Sequence, residues 1–282
     1  SAVKLKMLTS SIVLAGLPYC GVVADDFDQK FQLTSQELEW LGEQIYSNEC
    51  NANFECLTSW NSGEDFPSLG IGHFIWFRAD QQSTFEETFP QLIEFMNTKN
   101  APVPAWLNEK SDPNSPWTSR KNFYENFDSR KMKELRNFLA QQKALQVEFI
   151  VLRFNQTLNQ IVLDFPESVR SKIEDIIRTI ISSQDSLGLY ALIDYVHFKG
   201  TGLSQKERYL GHGWGLRQVL NEMLQKPVTL PSFVESAENV LARRVINAPI
   251  ERNERQWLAG WSKRLKTYLP PVTGSALECT SI

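Results

Sequence analysis

Cysteine and histidine are scarce in this chain of 282 residues, which holds four of the first and three of the second. No Cys-x-x-Cys pair or Cys/His spacing of the zinc-binding kind occurs, so the sequence implies neither a metal nor an organic cofactor. Internal repeats and Gly/Ser/Pro-rich linkers are missing, which argues against tethered modules. No charge of one sign dominates: 29 Lys and Arg stand against 33 Asp and Glu, a net of −4. Nucleic acids and anionic lipids are read through basic surfaces, so this balance argues against both as partners. Long apolar runs are absent except at the start.

That start reads as a secretory signal over residues 1–24. Lys4 and Lys6 precede an apolar run, 7–23, broken by Pro18 and Gly21. Val22-Val23-Ala24 offers small residues just before the acidic pair Asp25 and Asp26. The run is too short and too poorly flanked for a membrane span; a buried N-terminal helix is the alternative. Bulky Tyr19 before Cys20 argues against a lipid anchor. The expectation is an exported protein, periplasmic or secreted, with residues 25–282 as one domain and no insertion into a membrane after cleavage. Loss of the signal leaves 27 basic against 33 acidic residues, a net of −6. Export permits disulfides. Cys50 and Cys56 would close a short loop, with Cys279 left over near a Ser/Thr-containing tail; three unpaired thiols are the other reading.

The rest has mostly helical periodicity. Thr34 and Glu37 form a capping box ahead of Leu38, Leu41 and Ile45, predicting a helix to about Glu49. Between 51 and 77, Gly63, Pro67, Gly70 and Gly72 punctuate short aromatic and β-branched pieces, predicting a β-hairpin or three-stranded ribbon. A second capping box, Thr84 with Glu87, opens another helix, and a polar loop fills 99–116. Helices are expected over 129–162, 167–181, 186–198, 216–224, 232–246 (capped by Ser232 with Glu235) and 251–268. A glycine cluster covers 200–215. The predicted class is α+β, predominantly α-helical, with a small ribbon beside the first helix.

The residues that carry chemistry crowd between 48 and 73. A carboxyl at a helix end, facing a ribbon and flanked by Tyr46, Trp60 and Trp76, would lose solvent, and desolvation favours a protonated carboxyl. Glu49 would then be a general acid able to protonate a glycosidic oxygen. Glu64 and Asp65, at the hairpin turn, would supply a second carboxylate. Trp60 and Trp214 are candidates for stacking on sugar rings or for the core. His73, His197 and Lys199 are candidates for lining the groove or for structural roles. Arg252, Arg255, Lys263, Arg264 and Lys266 recur at helical spacing and read as a solvated face.

A helix-terminal Glu, a hairpin and then Ser/Thr-x-Gly-x-Gly-His is a pattern this sequence shares with a known superfamily. With Glu49, the 60–67 hairpin and Ser68-Leu69-Gly70-Ile71-Gly72-His73, the chain resembles the phage-type branch of the lysozyme-like superfamily. It also resembles secreted bacterial proteins with Trp-Asn-x-Gly-Glu and Gly-Ile-Gly-His-Phe-Ile-Trp motifs. The likeness covers about residues 34–78. It implies a glycosidase acting on a β-1,4-linked amino-sugar polymer, peptidoglycan foremost and chitosan as a variant. Glu49 would be the acid, Ser68 would stand where a Thr positions the attacking water, and Glu64 or Asp65 would be the second carboxylate. The hairpin is longer than in phage lysozymes, so that second carboxylate has no matched position. Lytic transglycosylases, which need one Glu, usually follow it with Ser, where Cys50 stands here. Gly215-Leu216-Arg217-Gln218 and Tyr195-Val196-His197-Phe198-Lys199-Gly200 echo their later motifs, the first in the wrong chain order. A wall-binding protein without turnover is the reading from another class.

Overall fold

The computed structural model describes residues 33–271 except 80, 82, 84–85, 110–113 and 185. Residues 1–24, read from sequence as a secretory signal, and Thr84 and Cys279 lie outside the described residues. The rest is predominantly helical with one small antiparallel sheet.

The first helix, α1 (Ser35–Cys50), begins as its capping box requires. Thr34 Oγ1 accepts from the Glu37 amide at 3.2 Å, and Glu37 Oε2 accepts from the Thr34 amide at 2.8 Å. The helix stops where Asn51 turns left-handed at φ +49°, a conformation Asn tolerates better than most residues. A helical turn, Phe54–Leu57, leads to strands β1 (Thr58–Ser59), β2 (Ser68–Leu69) and β3 (Phe74–Ile75). They pair β1-β2-β3, with Thr58 opposite Leu69 and Leu69 opposite Phe74. This is the three-stranded form of the expected ribbon.

Then come α2 (Phe89–Thr98), α3 (Arg120–Glu125), α4 (Arg130–Gln141) and α5 (Lys143–Leu163). Glu87 does not cap α2: its Oε1 accepts from the Phe77 amide at 2.7 Å, and the helix starts after Thr88 with Pro90 in its first turn. The long helix expected over 129–162 is two helices. They part at Gln142, because the buried Gln146 side chain donates to the Leu139 and Gln142 carbonyls at 2.7 and 3.2 Å. Next are α6 (Glu167–Ile181), α7 (Leu187–Lys199), α8 (Leu216–Met223), α9 (Leu230–Asn247) and α10 (Leu258–Lys266). Thr229 caps α9 in place of Ser232, which lies in the first turn; Pro231 sits there too. Two short turns, Ile250–Arg252 and Glu254–Trp257, replace the start of the last expected helix.

One apolar cluster runs from α1 to Tyr268. α7 packs against α1, α5, α6 and α8, and its residues Gly188 to Tyr195 are all buried. Within that run of Leu, Ile, Ala and Tyr lies one carboxylate, Asp194. Trp60, Trp76, Trp117 and Phe123 form a ring cluster, with centroids 5.2 to 6.1 Å apart from one ring to the next. No described helix is long and apolar enough to cross a membrane.

Candidate functional site

Glu49 stands in the last turn of α1, and two restraints fix the backbone around it. A disulfide joins Cys50 to Cys56 and ties the helix end to the next turn. The Gly70-Ile71-Gly72-His73 turn between β2 and β3 is pinned by Gln146, whose Oε1 accepts from the Ile71 amide at 2.9 Å. Gly70 has φ +71°, and a Cβ there would meet Gln146 Oε1 at 2.2 Å. A Cβ on Gly72 would meet the Phe74 ring at 2.5 Å. Both glycines therefore serve backbone approach, as their spacing suggested. The turn ends with His73 left-handed at φ +47°, its Nδ1 3.7 Å from Glu49 Oε2.

Two of the rings expected to flank Glu49 are themselves buried in the core. Trp60 and Trp76 are core residues, 2% and 4% exposed. Arg264 instead approaches from α10, with Nη2 2.5 Å from Glu49 Oε1. The same guanidinium donates to both oxygens of Asp194 on α7, at 2.9 and 2.8 Å. Tyr268 donates to Asp194 Oδ2 at 2.6 Å, and Asn48 Nδ2 lies 3.3 Å from Oδ1. Asn48 also bonds Tyr190. Burial by itself would depress the Arg264 pKa, but the bond and charge of Asp194 and the charge of Glu49 outweigh it and drive it up. Burial and the Asp194 charge push Tyr190 up to about 12 and Tyr268 well above its ordinary value. Arg264, read from sequence as part of a wet face, is the centre of a bridge joining α1, α7 and α10.

The carboxylate bridge is sealed on one side and open on the other. Asp194 is 2% exposed, whereas the Glu49 and Arg264 side chains keep 18% and 20%. A cleft of about 220 Å³ runs between the ribbon turn and helices α5 and α7, with Gly72, Phe74, Phe154 and His197 in its lining; Glu49 and Arg264 are not among the residues that line it. His197 is exposed at this cleft. A wider depression, about 700 Å³, lies near Pro102, Asp128, Arg130 and Glu134, away from these groups.

The remaining candidates separate. Lys199, one half-turn beyond His197, lies with Nζ 3.5 Å from the Trp261 ring centre and 4.0 Å from that of Phe198. Desolvation and then the Arg244 charge push its pKa down to about 7, although Glu254 opposes the shift. Phe198 also carries Arg264 at 4.5 Å, so Lys199 and the carboxylate bridge share one ring. Trp214 is nearly buried, with Tyr209 at 4.7 Å and Arg244 at 4.1 Å on its rings. Neither Trp214 nor Trp60 offers a free face to a sugar. Ser68 is buried in β2 and, among the described residues, makes no hydrogen bond to Glu49. Glu64 and Asp65 are exposed and bond within their own surroundings: Glu64 accepts from Asn61 at 3.2 Å, and Asp65 pairs with Arg78 at 2.8 Å. The second carboxylate tied to Glu49 is Asp194, which the spacing of motifs did not reveal. One signal was present, a lone acid in an apolar helix, which is costly unless paired.

Among the described residues, Cys50, Cys56 and His73 bring their ligand atoms within 4.8 Å of one another. The sulfurs are joined in the disulfide and so are not thiolate ligands. Comparisons of the chain with known protein families, curated proteins and solved structures find no match.

Proposed function

We propose that the chain is an exported, lysozyme-like glycosidase that cleaves a β-1,4-linked amino-sugar polymer, peptidoglycan foremost, with Glu49 as its acid. The observation that carries this reading is the placement of Glu49. It sits at a helix end, against the Gly-Ile-Gly-His turn and partly open to solvent, with a second group fixing its orientation. No metal or organic cofactor is invoked.

In this reading Arg264, clamped by buried Asp194, fixes the orientation of the Glu49 carboxyl. The reaction needs Glu49 to enter as the acid, the form that has a proton to donate. Glu49 gives that proton to the leaving oxygen as the glycosidic bond breaks. The resulting carboxylate then takes a proton back, either from an attacking water or from a hydroxyl of the same sugar.

The second route is the lytic transglycosylase reaction, and one observation favours it. Glu64 and Asp65 are engaged in their own loop, and Asp194 is buried beneath Arg264, so of these four acids Glu49 is the one both oriented by Arg264 and partly open to solvent. Single-carboxylate chemistry is the simpler fit. Purified peptidoglycan is digested with native protein and with Glu49→Gln, and products are weighed by mass spectrometry. Water-containing ends indicate hydrolysis, and anhydro ends indicate the internal reaction. Equal turnover by both proteins removes Glu49 from the mechanism. Sugar binding without turnover in the native protein, on chitosan also, supports a wall-binding protein instead.

A further inference from the structure

His73 stands between two different partners, one on each ring nitrogen. Nδ1 faces Glu49 Oε2 at 3.7 Å, and Nε2 faces Cys56 Sγ at 3.8 Å. The ligand atoms of Cys50, Cys56 and His73 all lie within 4.8 Å of one another. A carboxylate at one ring nitrogen and sulfur at the other is the arrangement of a metal-bound histidine, whose free N–H is held by an outer carboxylate that fixes tautomer and ring.

While the bridge is closed the sulfurs are not ligands, because only a thiolate binds a metal. The bridge is placed to be opened. Cys50 is buried, Cys56 is partly exposed, and residues 51–55 between them are all exposed. Exposed bridges are the ones that exchange readily with thiols. Asn51 and Ala52 are left-handed at φ +49° and +53°, which is costly for an alanine, so the loop gains from any relaxation that opening allows. The third ligand is held independently. His73 ends the turn that Gln146 pins through the Ile71 amide, and its side chain keeps 31% exposure, a way in for an ion.

The spacing suits zinc. With bonds of about 2.3 Å to sulfur and about 2.0 Å to nitrogen, tetrahedral ligands lie about 3.6 Å apart for sulfur and nitrogen and about 3.8 Å for two sulfurs. Cys56 Sγ and His73 Nε2 already stand near that distance. The two sulfurs reach it by side-chain rotation, their Cα atoms being 5.4 Å apart.

We propose that reduction of the Cys50–Cys56 bridge turns this corner into a zinc site, with Cys50 Sγ, Cys56 Sγ and His73 Nε2 as ligands and Glu49 as the outer carboxylate on Nδ1. A dithiol supplies the electrons. Its thiolate attacks Cys56 Sγ, the S–S bond breaks and Cys50 leaves as a thiolate. The second thiol of the reductant then expels Cys56 and closes the reductant's own disulfide. Zinc takes the place of the protons on the two sulfurs, and water fills the fourth position. The inference is independent of the glycosidase reading, since Glu49 acts here only as a hydrogen-bond acceptor.

The full chain carrying Cys20→Ser and Cys279→Ser is reduced by a dithiol, freed of it without oxygen, and titrated with Co(II) and then Zn(II). One equivalent of cobalt is expected to give the thiolate charge-transfer band and the intense visible bands of a tetrahedral site, and zinc to abolish them. The bridged protein should show neither. Glu49→Gln should weaken zinc binding about tenfold or more. His73→Asn, which suits the left-handed backbone, should weaken it further. Circular dichroism follows the folding of each protein. Reduced protein without the cobalt bands overturns the proposal, as does equal affinity in the bridged protein or in His73→Asn. Equal affinity in Glu49→Gln overturns the part given to the outer carboxylate. Reduced protein that unfolds and is not restored by zinc also overturns the site.

Discussion

Two carboxylate–arginine clusters lie near the C-terminal end of the chain, and they differ in one respect. Around Glu254, two arginines and a tyrosine close over an acid whose side chain is wholly inaccessible. Around Arg264, two acids share one guanidinium, and one of them, Glu49, keeps 18% of its side chain exposed. The same chemical groups thus serve two ends. A sealed cluster contributes to holding segments together. An open one keeps an oriented carboxyl within reach of an incoming molecule.

The strongest way to break this comparison is Glu49→Gln. It should lower turnover by about 10²- to 10⁴-fold, the span of general acid catalysis, while costing at most about 1 kcal/mol of stability. A loss of folding on the same scale as the loss of activity would mean that both clusters are structural.

Glu254→Gln should do the reverse, removing about 3 kcal/mol by leaving the largely buried Arg244 without its anion, while turnover per folded molecule persists. Chemical denaturation and activity on the soluble fraction separate the two effects. The same cluster has a pH signature. Desolvation raises the Glu254 pKa, but the bonds from Arg244, Tyr209 and Arg252 overcome it and hold it at about 2, below the ordinary 4.5. Its contribution is therefore complete above about 4.5 and is lost as pH falls through about 2. In the Glu254→Gln protein, the fall in melting temperature over that interval should be shallower.

Asp194→Asn sharpens the comparison because Asp194 belongs to the sealed side of the open cluster. It should cost about 2 kcal/mol and also lower turnover by about tenfold, since Arg264 loses the clamp that aims Glu49. A change in stability alone would separate Arg264 from the function of Glu49.

The smallest effect is expected at Lys199. Its amine, pushed down to about 7, is charged below that pH and neutral above it. Binding of an acidic wall polymer should weaken by a few-fold as pH rises through about 7, and Lys199→Met should flatten that change. Pull-down on insoluble peptidoglycan across this range reads it directly. An unchanged slope in the variant would assign the titration to another group.

Much of the local structure could be read in advance, and the reasons are local. Thr34 and Glu37 satisfy one another within a single turn, so the start of α1 needed no tertiary information. The glycines at 70 and 72 and the short β-branched pieces around them marked the ribbon. Where expectation failed, a partner distant in sequence had intervened. Glu87 was taken by the Phe77 amide, the helix over 129–162 was split by the carbonyls that Gln146 satisfies, and Thr229 displaced Ser232 as a cap. The site followed the same division. Glu49 and His73 meet and His197 lines the cleft, but Trp60 went to the core, and Glu64 and Asp65 remained in their own loop. Arg264 and Asp194 were passed over because their roles depend on residues 215 and 70 positions away.

The sequence by itself determined the helical class, the ribbon after α1 and the position of Glu49 at a helix end, because each follows from hydrogen bonds and side-chain periods within a few residues. Only the tertiary structure decided which charges meet: that Arg264 would bridge Glu49 to Asp194, and that Glu254 would be closed by Arg244, Arg252 and Tyr209. Electrostatics acts through space and not along the chain, so its arrangement emerges only when α1, α7, α9 and α10 are packed together.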